Sequence, residues 1–557
     1  VIGVHSAKFP NEAETGNLRD IVQRYEIAHP VVNDEDFEVW NSWGANAWPT
    51  VALVDPVGMA VGIRAGEGVY DAVEPVIAGL VAEFDARGLL DRQPIELALE
   101  ADTSPDRPLR YPGKVLAQDG TLWIADTGHH RIVEVDAATG DVTAVYGSGE
   151  RGAADGTALE ARFNAPQGLA TDGEILYVAD TNNHLIRTVD LSSGEVATLI
   201  GTGRQGWIDG GDFADASLSN PWALELAHGF LYIANAGTHQ IWAASLDEGW
   251  VNPLIGSARE GTLNASFQVA ELAQPSGLAL TEDNRLVFAD SESSSIRLGD
   301  LLAGETELVV GGDAGLFEFG DVDGIGNEAR LQHPLGTAVD GDILYVADTY
   351  NSKVKRVSLA ERRIESWLGD GAGWEDGNSP RFNEPGGLDL DGSVLYVADT
   401  NNHVVRTIDT TTGDTSTLVL KGIEAFDPPA AWSGEIVTLA PQPVSTGPAT
   451  LVLDYRLPDG YKVNEEAPSS LEISGAGIAS SPSGSLVDLT GTALPASVSI
   501  DLREGEGTVA FDVTIIYCAT VTEDLCLIDQ VRYEVPLTVT DGTTSSLITL
   551  ERTIPTP

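Results

Sequence analysis

The sequence predicts a multi-domain, mainly β protein: an α/β unit at residues 1–91, a six-bladed β-propeller at 92–425 and an all-β sandwich at 433–557. Three observations carry this. Strand-like and helix-like stretches alternate over the first segment, one motif recurs six times in the second, and the third is a succession of short alternating runs broken by Gly, Pro, Asp and Ser. At 557 residues the chain is too long for a single core, and 42% hydrophobic content with 11 Trp fits packed structure rather than disorder.

In the first unit, "VIGVH" reads as a buried strand. Leu18, Ile21, Val22 and Tyr25 then fall at helical spacing in "GNLRDIVQRYEI", a helix opened by Thr15 and blocked by Pro30. "PVVND" is a second strand and "DFEVWNSWG" a short helix closed by Gly44. "TVALVDPVG" and "AVGIRAG" are two strands joined at a Pro-x-Gly turn, and "VYDAVEPVIAGLVAEFDARGLL" is an amphipathic last helix. This alternation predicts a mostly parallel sheet with helices on both faces.

"AWPT", Ala47 to Thr50, stands just before the two paired strands. Taken alone, Pro-Thr there is a simple turn. With the surrounding element order, the unit resembles thioredoxin-like proteins that carry an extra helix and strand before a cis-proline. The resemblance implies that Pro49 is that proline and that Trp48 and Thr50 flank a substrate groove. It also implies a CxxC on a strand-to-helix turn upstream of "VIGVHS". The chain opens on an apolar run at Val1 with no initiator Met, charged leader or signal-peptide core. The unit is therefore expected to be truncated, and incapable of dithiol chemistry by itself.

"IADTGHHRI", "VADTNNHLI", "IANAGTHQI", "FADSESSSI", "VADTYNSKV" and "VADTNNHVV" begin at residues 124, 178, 233, 288, 346 and 397. A second motif, from "YPGKV" to "EPGGL", keeps the same beat. Six copies of short β-rich runs separated by Gly, Asp and Asn turns predict four strands per blade. The alanine is expected where blades crowd together. Asp126, Asp180, Asp290, Asp348 and Asp399, with Asn235 as their mimic, are expected to accept N–H groups across the hairpin turn. The repeats resemble the NHL family of six-bladed propellers, a likeness that implies fold far more than activity.

Several local patterns dissolve into the repeat. "GSGERG" and "GTGRQG" match a dinucleotide loop, yet no helical stretch follows either. "DVDGIGNE" lacks the ligand spacing of a calcium loop and falls in register with other inter-blade connections. His130, His184, His239 and His403 share one turn position that Ser294 and Ser352 occupy in the other blades. A ring of imidazoles could in principle hold a metal; with two of six missing, packing is the plainer reading, and neither a metal nor a cofactor is expected.

The third unit contains "ATLVLDYRLP", "SVSIDL", "GTVAFDVTIIYC" and "VRYEVPLTVT" among eight strand-like runs, which argue for a sandwich. Cys518 ends one of these strands and Cys526 begins the next, so a hairpin brings them within disulfide reach. A bond closing so short a loop stabilises by under about 3 kcal/mol, little for a domain with a full core. "YCATVTEDLC", with "DYRLPDGYKVNEEAP" upstream, resembles the amino-terminal domain of the thiol reductant transporter DsbD. That likeness implies that Cys518 and Cys526 exchange electrons with a thioredoxin-like partner and that Tyr517 shields them. Glu523 and Asp524 beside them are expected to slow attack by these thiols, so that the pair is exchanged upon rather than initiating. Across its whole length the chain resembles the NHL repeat-containing protein 2-like family and its bacterial members.

Composition narrows the partners. With 85 acidic against 31 basic residues, a net charge of -54, the surface repels phosphate and excludes nucleic acid as a natural partner. No apolar run approaches the roughly 20 residues needed to cross a bilayer. The expectation is a monomeric thiol-disulfide redox protein acting on a protein partner, with a propeller-based interaction scaffold as the alternative and a lyase or lactonase of the propeller funnel as a lesser one. Whole-architecture relatives tilt localisation towards the cytoplasm over an extracytoplasmic site.

Overall fold

The structure, a computed structural model, describes residues 1–66, 69–92, 107–206, 210–426, 435–458, 460–464, 469–474, 478–480, 486–519, 526–541 and 545–554. It divides into two compact units, Val1–Asp427 and Pro428–Pro557.

In the first unit, β1 (Gly3–His5) and β2 (Val31–Asn33) pair in parallel, connected through α1 (Thr15–Arg24), which buries Leu18. α2 (Glu38–Trp43) starts where the Asp34 carboxylate accepts the N–H groups of Val39 and Trp40 at 2.8 and 2.9 Å. It stops at Gly44, whose φ of 66° suits a residue without Cβ. β3 (Thr50–Val54) and β4 (Ala60–Ala65) form an antiparallel hairpin, and α3 (Tyr70–Ala86) follows. The single, mostly parallel sheet expected here needs correction: β1–β2 and β3–β4 are separate two-stranded ribbons. Among the described residues β1 and β3 each leave one edge unpaired, and Trp48 Nε1–H links the two ribbons by donating to the Ser6 carbonyl at 2.7 Å.

Six antiparallel sheets follow, at residues 115–146, 166–200, 211–255, 275–311, 324–368 and 385–417. They are blades 1 to 6 of a β-propeller. The first strand of each blade lies against its counterparts in the neighbouring blades. A Cβ at Gly168 would sit 2.7 Å from the Ala223 Cα, and one at Gly387 would sit 2.7 Å from the Lys114 Cα. Small residues permit this approach, and the second repeat motif supplies them at Gly168, Ala223, Gly277, Gly336 and Gly387, with Lys114 as the exception. The core is distributed between blades rather than central. One apolar cluster joins blades 1 and 2, the next blades 2 and 3, and so on, until Tyr396, Ala398 and Val405 of blade 6 pack on Leu122, Ile124 and Val133 of blade 1. The motif alanine has no exposed surface in any blade, as expected.

The motif acids act differently from the expectation. Each takes the N–H of a residue 16 or 17 positions earlier, at the entry to the first strand: Arg110, Asn164, Ala273, Gln332 and Asn383 all donate at 2.7 Å. Asn235 accepts from Ser219 in the same way at 2.8 Å. The turn closes on its own backbone, as in His184 N–H to the Thr181 carbonyl at 3.2 Å, which frees the carboxylate to reach back. Its second oxygen meets a buried cation: Arg131, Arg187, Arg297, Lys355 or Arg406, within 2.9 to 3.1 Å.

The turn also stitches each blade to the next. Thr127, Thr181, Thr349 and Thr400 donate their hydroxyls to the carbonyls of Pro166, Pro221, Pro385 and Pro112, the last bond closing the ring. His130, His184 and His403 accept the N–H groups of Ala165, Asn220 and Tyr111 on Nδ1 at 3.1, 3.1 and 3.2 Å. Ser294 and Ser352 accept from His333 and Glu384 on Oγ. In these five blades histidine and serine are interchangeable at this position because either supplies one acceptor to the following blade.

The second unit holds two sheets. One contains the long strands Gly505–Ala519 and Cys526–Val539 with shorter strands beside them; the other has four strands, among them Gly447–Arg456 and Ala496–Leu502. Burial alternates strictly along Ala496–Leu502, and Leu451, Leu453, Ile500 and Leu550 of one sheet share a core with Val509, Phe511, Val513 and Val535 of the other. The expected run "EIVTLAPQPV" divides into Glu435–Thr438 and Gln442–Val444, both parallel to Cys526–Val539.

Candidate functional site

Strands Gly505–Ala519 and Cys526–Val539 pair in a register that sets Cys518 directly opposite Cys526. Opposed residues of an antiparallel ladder have Cα atoms about 4.5–5.5 Å apart, within disulfide reach. Cys518 is disulfide-bonded, and Cys526 is the only other cysteine of the chain. Val513, Ile515 and Tyr517 point into the core, so Cys518 lies on the opposite face of its strand, yet it is only 4% exposed. The cover comes from "YKVN": strand Tyr461–Val463 pairs with residues 517–519, and the Asn464 side-chain amide donates to Cys518 Sγ at 3.1 Å. Tyr517 sits edge-on to Tyr461 with ring centres 5.5 Å apart. Glu523 and Asp524 lie outside the described residues.

The predicted groove residues stand together in the first unit. The Trp48–Pro49 peptide is cis. Trp48 is 44% exposed and packs 4.4 Å from Trp40 between ring centres, with Phe37 and the propeller residue Phe317 at 6.4 and 6.5 Å. The Thr50 hydroxyl donates to the Ala47 carbonyl at 2.6 Å and so is tied to its own turn. Beneath them Asp34 is buried. Burial raises its carboxyl, but hydrogen bonds from Ser6 and from the Trp40 and Val39 N–H groups outweigh this and hold it below the ordinary range.

Sequence reasoning missed a third assembly, at the mouth of the propeller channel. Phe9 is buried against Phe319, His333 and Tyr350; Arg24 pairs with Glu384, Lys8 with Glu292, and Tyr350 donates to Glu12 at 3.3 Å. The start of the chain thus covers the mouth and leaves a cavity of about 60 Å³ under Arg24 and Tyr25, lined by Gln167 and Trp222 among others. Deeper in, buried Lys114 donates to the Leu335 and Gly386 carbonyls, the latter at 3.2 Å, and burial alone pulls its amine down to about 7. Glu225 and Asp389 lie two positions further along their first strands, where burial and then the Asp389 charge push Glu225 up to about 8. One signal for this assembly was present: Lys114, one of only six lysines, stands where the other repeats have Gly or Ala.

No family model matches the chain. Protein SUPPRESSOR OF QUENCHING 1, chloroplastic, of Arabidopsis thaliana is 37% identical over 576 residues, covering 97% of this chain and 54% of that protein. The chain therefore spans about half the length of that relative. NHL repeat-containing protein 2 of Bos taurus and of Homo sapiens are each 36% identical, over 97% of this chain and 82% of theirs. Among solved structures, a streptogramin B lyase covers 57% of this chain at 12% identity with a TM-score of 0.35. A nidogen/laminin complex covers 54% at 15% identity with a TM-score of 0.36. On identity and coverage, with six blades bearing the repeated motif, the chain belongs to the NHL repeat-containing protein 2 family.

Proposed function

We propose that this chain takes part in thiol-disulfide exchange, with the Cys518 disulfide as the exchanged bond and a thioredoxin-like thiol as its partner. In this reading residues 433–557 are a DsbD-like sandwich and residues 1–91 are part of a thioredoxin-like domain. On the same reading the unpaired edges of β1 and β3 are where a further strand of that domain would add. The observation that carries the proposal is the hairpin itself: the only two cysteines, paired in register, with one sulfur covered by a strand whose Tyr461 and Val463 pack on the core while Asn464 reaches the sulfur. A staple contributing under about 3 kcal/mol does not need such a cover.

The incoming thiolate attacks one sulfur, a mixed disulfide forms, and a second thiol of the partner resolves it. Titration of the pair in glutathione and dithiothreitol buffers, followed by trapping of free thiols, tests this. The expected potential lies above about -300 mV; a value well below that describes an inert structural bond. A second reading, a docking platform for a partner protein, is favoured by the exposed aromatic surface of Trp43, Trp48 and Phe317. It predicts a partner retained when Cys518 and Cys526 are both changed to Ser.

A further inference from the structure

Asn464 is 54 residues from Cys518 in sequence, yet its side chain points at the sulfur. The placement is fixed from two sides: Tyr461–Val463 is hydrogen-bonded to residues 517–519, and the Asn464 N–H donates to the Ile516 carbonyl at 2.9 Å. The carboxamide N–H of the half-buried Asn464 then reaches the almost fully buried Cys518 Sγ at 3.1 Å. A disulfide sulfur is a weak, neutral acceptor, so the contact contributes little while the bond is intact. A thiolate is a charged acceptor, and hydrogen bonds to charged groups are about twice as strong as neutral ones. The contact therefore strengthens as the S–S bond breaks, as a preorganised donor does when it faces developing charge.

We propose that Asn464 is a catalytic residue of disulfide opening, donating a hydrogen bond to the Cys518 thiolate as it departs, a role that rests on the exchange reading above. Burial closes Cys518 to in-line approach, so the incoming thiolate of a dithiol attacks the sulfur of Cys526. A new S–S bond forms there, the old one breaks, and its electron pair stays on Cys518 Sγ beside the Asn464 N–H. The second thiol of the dithiol, losing its proton to solvent, then attacks the mixed disulfide and closes into the oxidised dithiol. The sulfur of Cys526 leaves as a thiolate and takes up a proton. Two electrons pass from the dithiol to the pair.

The test is the rate at which dithiothreitol reduces the full chain, followed by thiol trapping between pH 6 and 9, for the parent protein and for Asn464→Ala and Asn464→Asp. Both variants are expected to be slower by about tenfold or more, since one loses the donor and the other places a negative charge by the departing thiolate. Near-ultraviolet circular dichroism checks that each retains the parent fold. If Asn464 were merely part of a lid, both substitutions would loosen it and speed reduction; equal or faster rates overturn the proposal and leave the exchange reading standing. Failure of dithiothreitol to reduce the parent protein overturns both.

Discussion

In blade 2, Asp180 bonds the Asn164 N–H and the buried Arg187, Thr181 reaches the Pro221 carbonyl, and His184 accepts from Asn220. Blade 3 keeps the same backbone, down to the left-handed φ of 55° at both His184 and His239. Its residues at the matching positions are Asn235, Ala236 and Trp242, so it has no ion pair and no hydroxyl to offer, and the Nδ1 of His239 has no partner among the described residues. Trp242 instead fills the space of an arginine, with no exposed surface and its indole N–H on Gln240 at 3.1 Å. The difference teaches that the blade is specified by packing and backbone register. The polar set adds strength at each seam, and the seam from blade 3 to blade 4 does without most of it.

The largest effect should come from breaking that set where it is complete. Arg187 has a fully buried guanidinium, bonded to Asp180 and to the Arg162 and Ala154 carbonyls and lying 5.2 Å from the centre of the Phe163 ring. Asp180→Ala removes its fully buried counter-charge and leaves Arg187 only the half-exposed Asp155 carboxylate at 2.6 Å, so the loss is expected near the lower end for a broken buried pair, about 3 kcal/mol. Asn235→Ala in blade 3 leaves the Ser219 N–H unpaired, removes the amide's bond to the Thr238 hydroxyl and should cost about 1–2 kcal/mol. Urea unfolding of the two variants measures the gap, and equal losses would mean the ion pair adds nothing over a neutral bond.

A second contrast uses acid. Burial lowers His130 to about 4 and His403 to about 3, helped by the Arg110 charge beside both, by His129 at His130 and by Arg107 and Arg24 at His403, against the opposing pull of Asp126. Glu26 also lies 3.6 Å from His130 Nε2. A depressed pKa in the folded state means that the unfolded chain binds protons first. The stability held by these latches is complete above about pH 6.5 and is lost as pH falls towards the folded values, by about 2 kcal/mol each at pH 5. Burial raises Asp180, Asp389 and Asp399 to about 6, which acts in the opposite direction, so the informative quantity is a difference between variants. The double variant His130→Ser, His403→Ser borrows the acceptor of blades 4 and 5. It should match the parent at pH 7.5 and exceed it at pH 5 in thermal unfolding.

These contrasts also mark what could be read from residues alone. The six-fold period revealed the blades and the crowded alanines, and the spacing of Cys518 and Cys526 revealed the cysteine hairpin, because each follows from spacing within a short stretch. The partner of each motif acid lies 16 or 17 residues upstream, and those of the turn histidines His130, His184 and His403 lie in the next blade. A repeat shows that positions are equivalent without showing which of them face one another. Asn464 and the cover over the channel mouth are hidden for the same reason, since both arise from long-range contact. The single sheet expected at the start of the chain assumed that alternating strands pair with each other, whereas β1 and β3 do not.

The smallest effect is the most direct test of the weak seam. In four blades the threonine after the acid donates to the carbonyl of the next blade's proline at 2.7 or 2.8 Å. Ala236 holds that position in blade 3, 5% exposed, and the matching proline of blade 4 is Pro275. Ala236→Thr restores the donor on a backbone that already carries it elsewhere, and should stabilise by about 1 kcal/mol. Thr181→Ala, which imitates blade 3 within blade 2, should cost about the same. Thermal unfolding of both variants compares them directly. If Ala236→Thr destabilises while Thr181→Ala behaves as expected, blade 3 differs from its siblings in shape as well as in chemistry, and its seam is closed by packing around Trp242 that leaves no room for a hydroxyl.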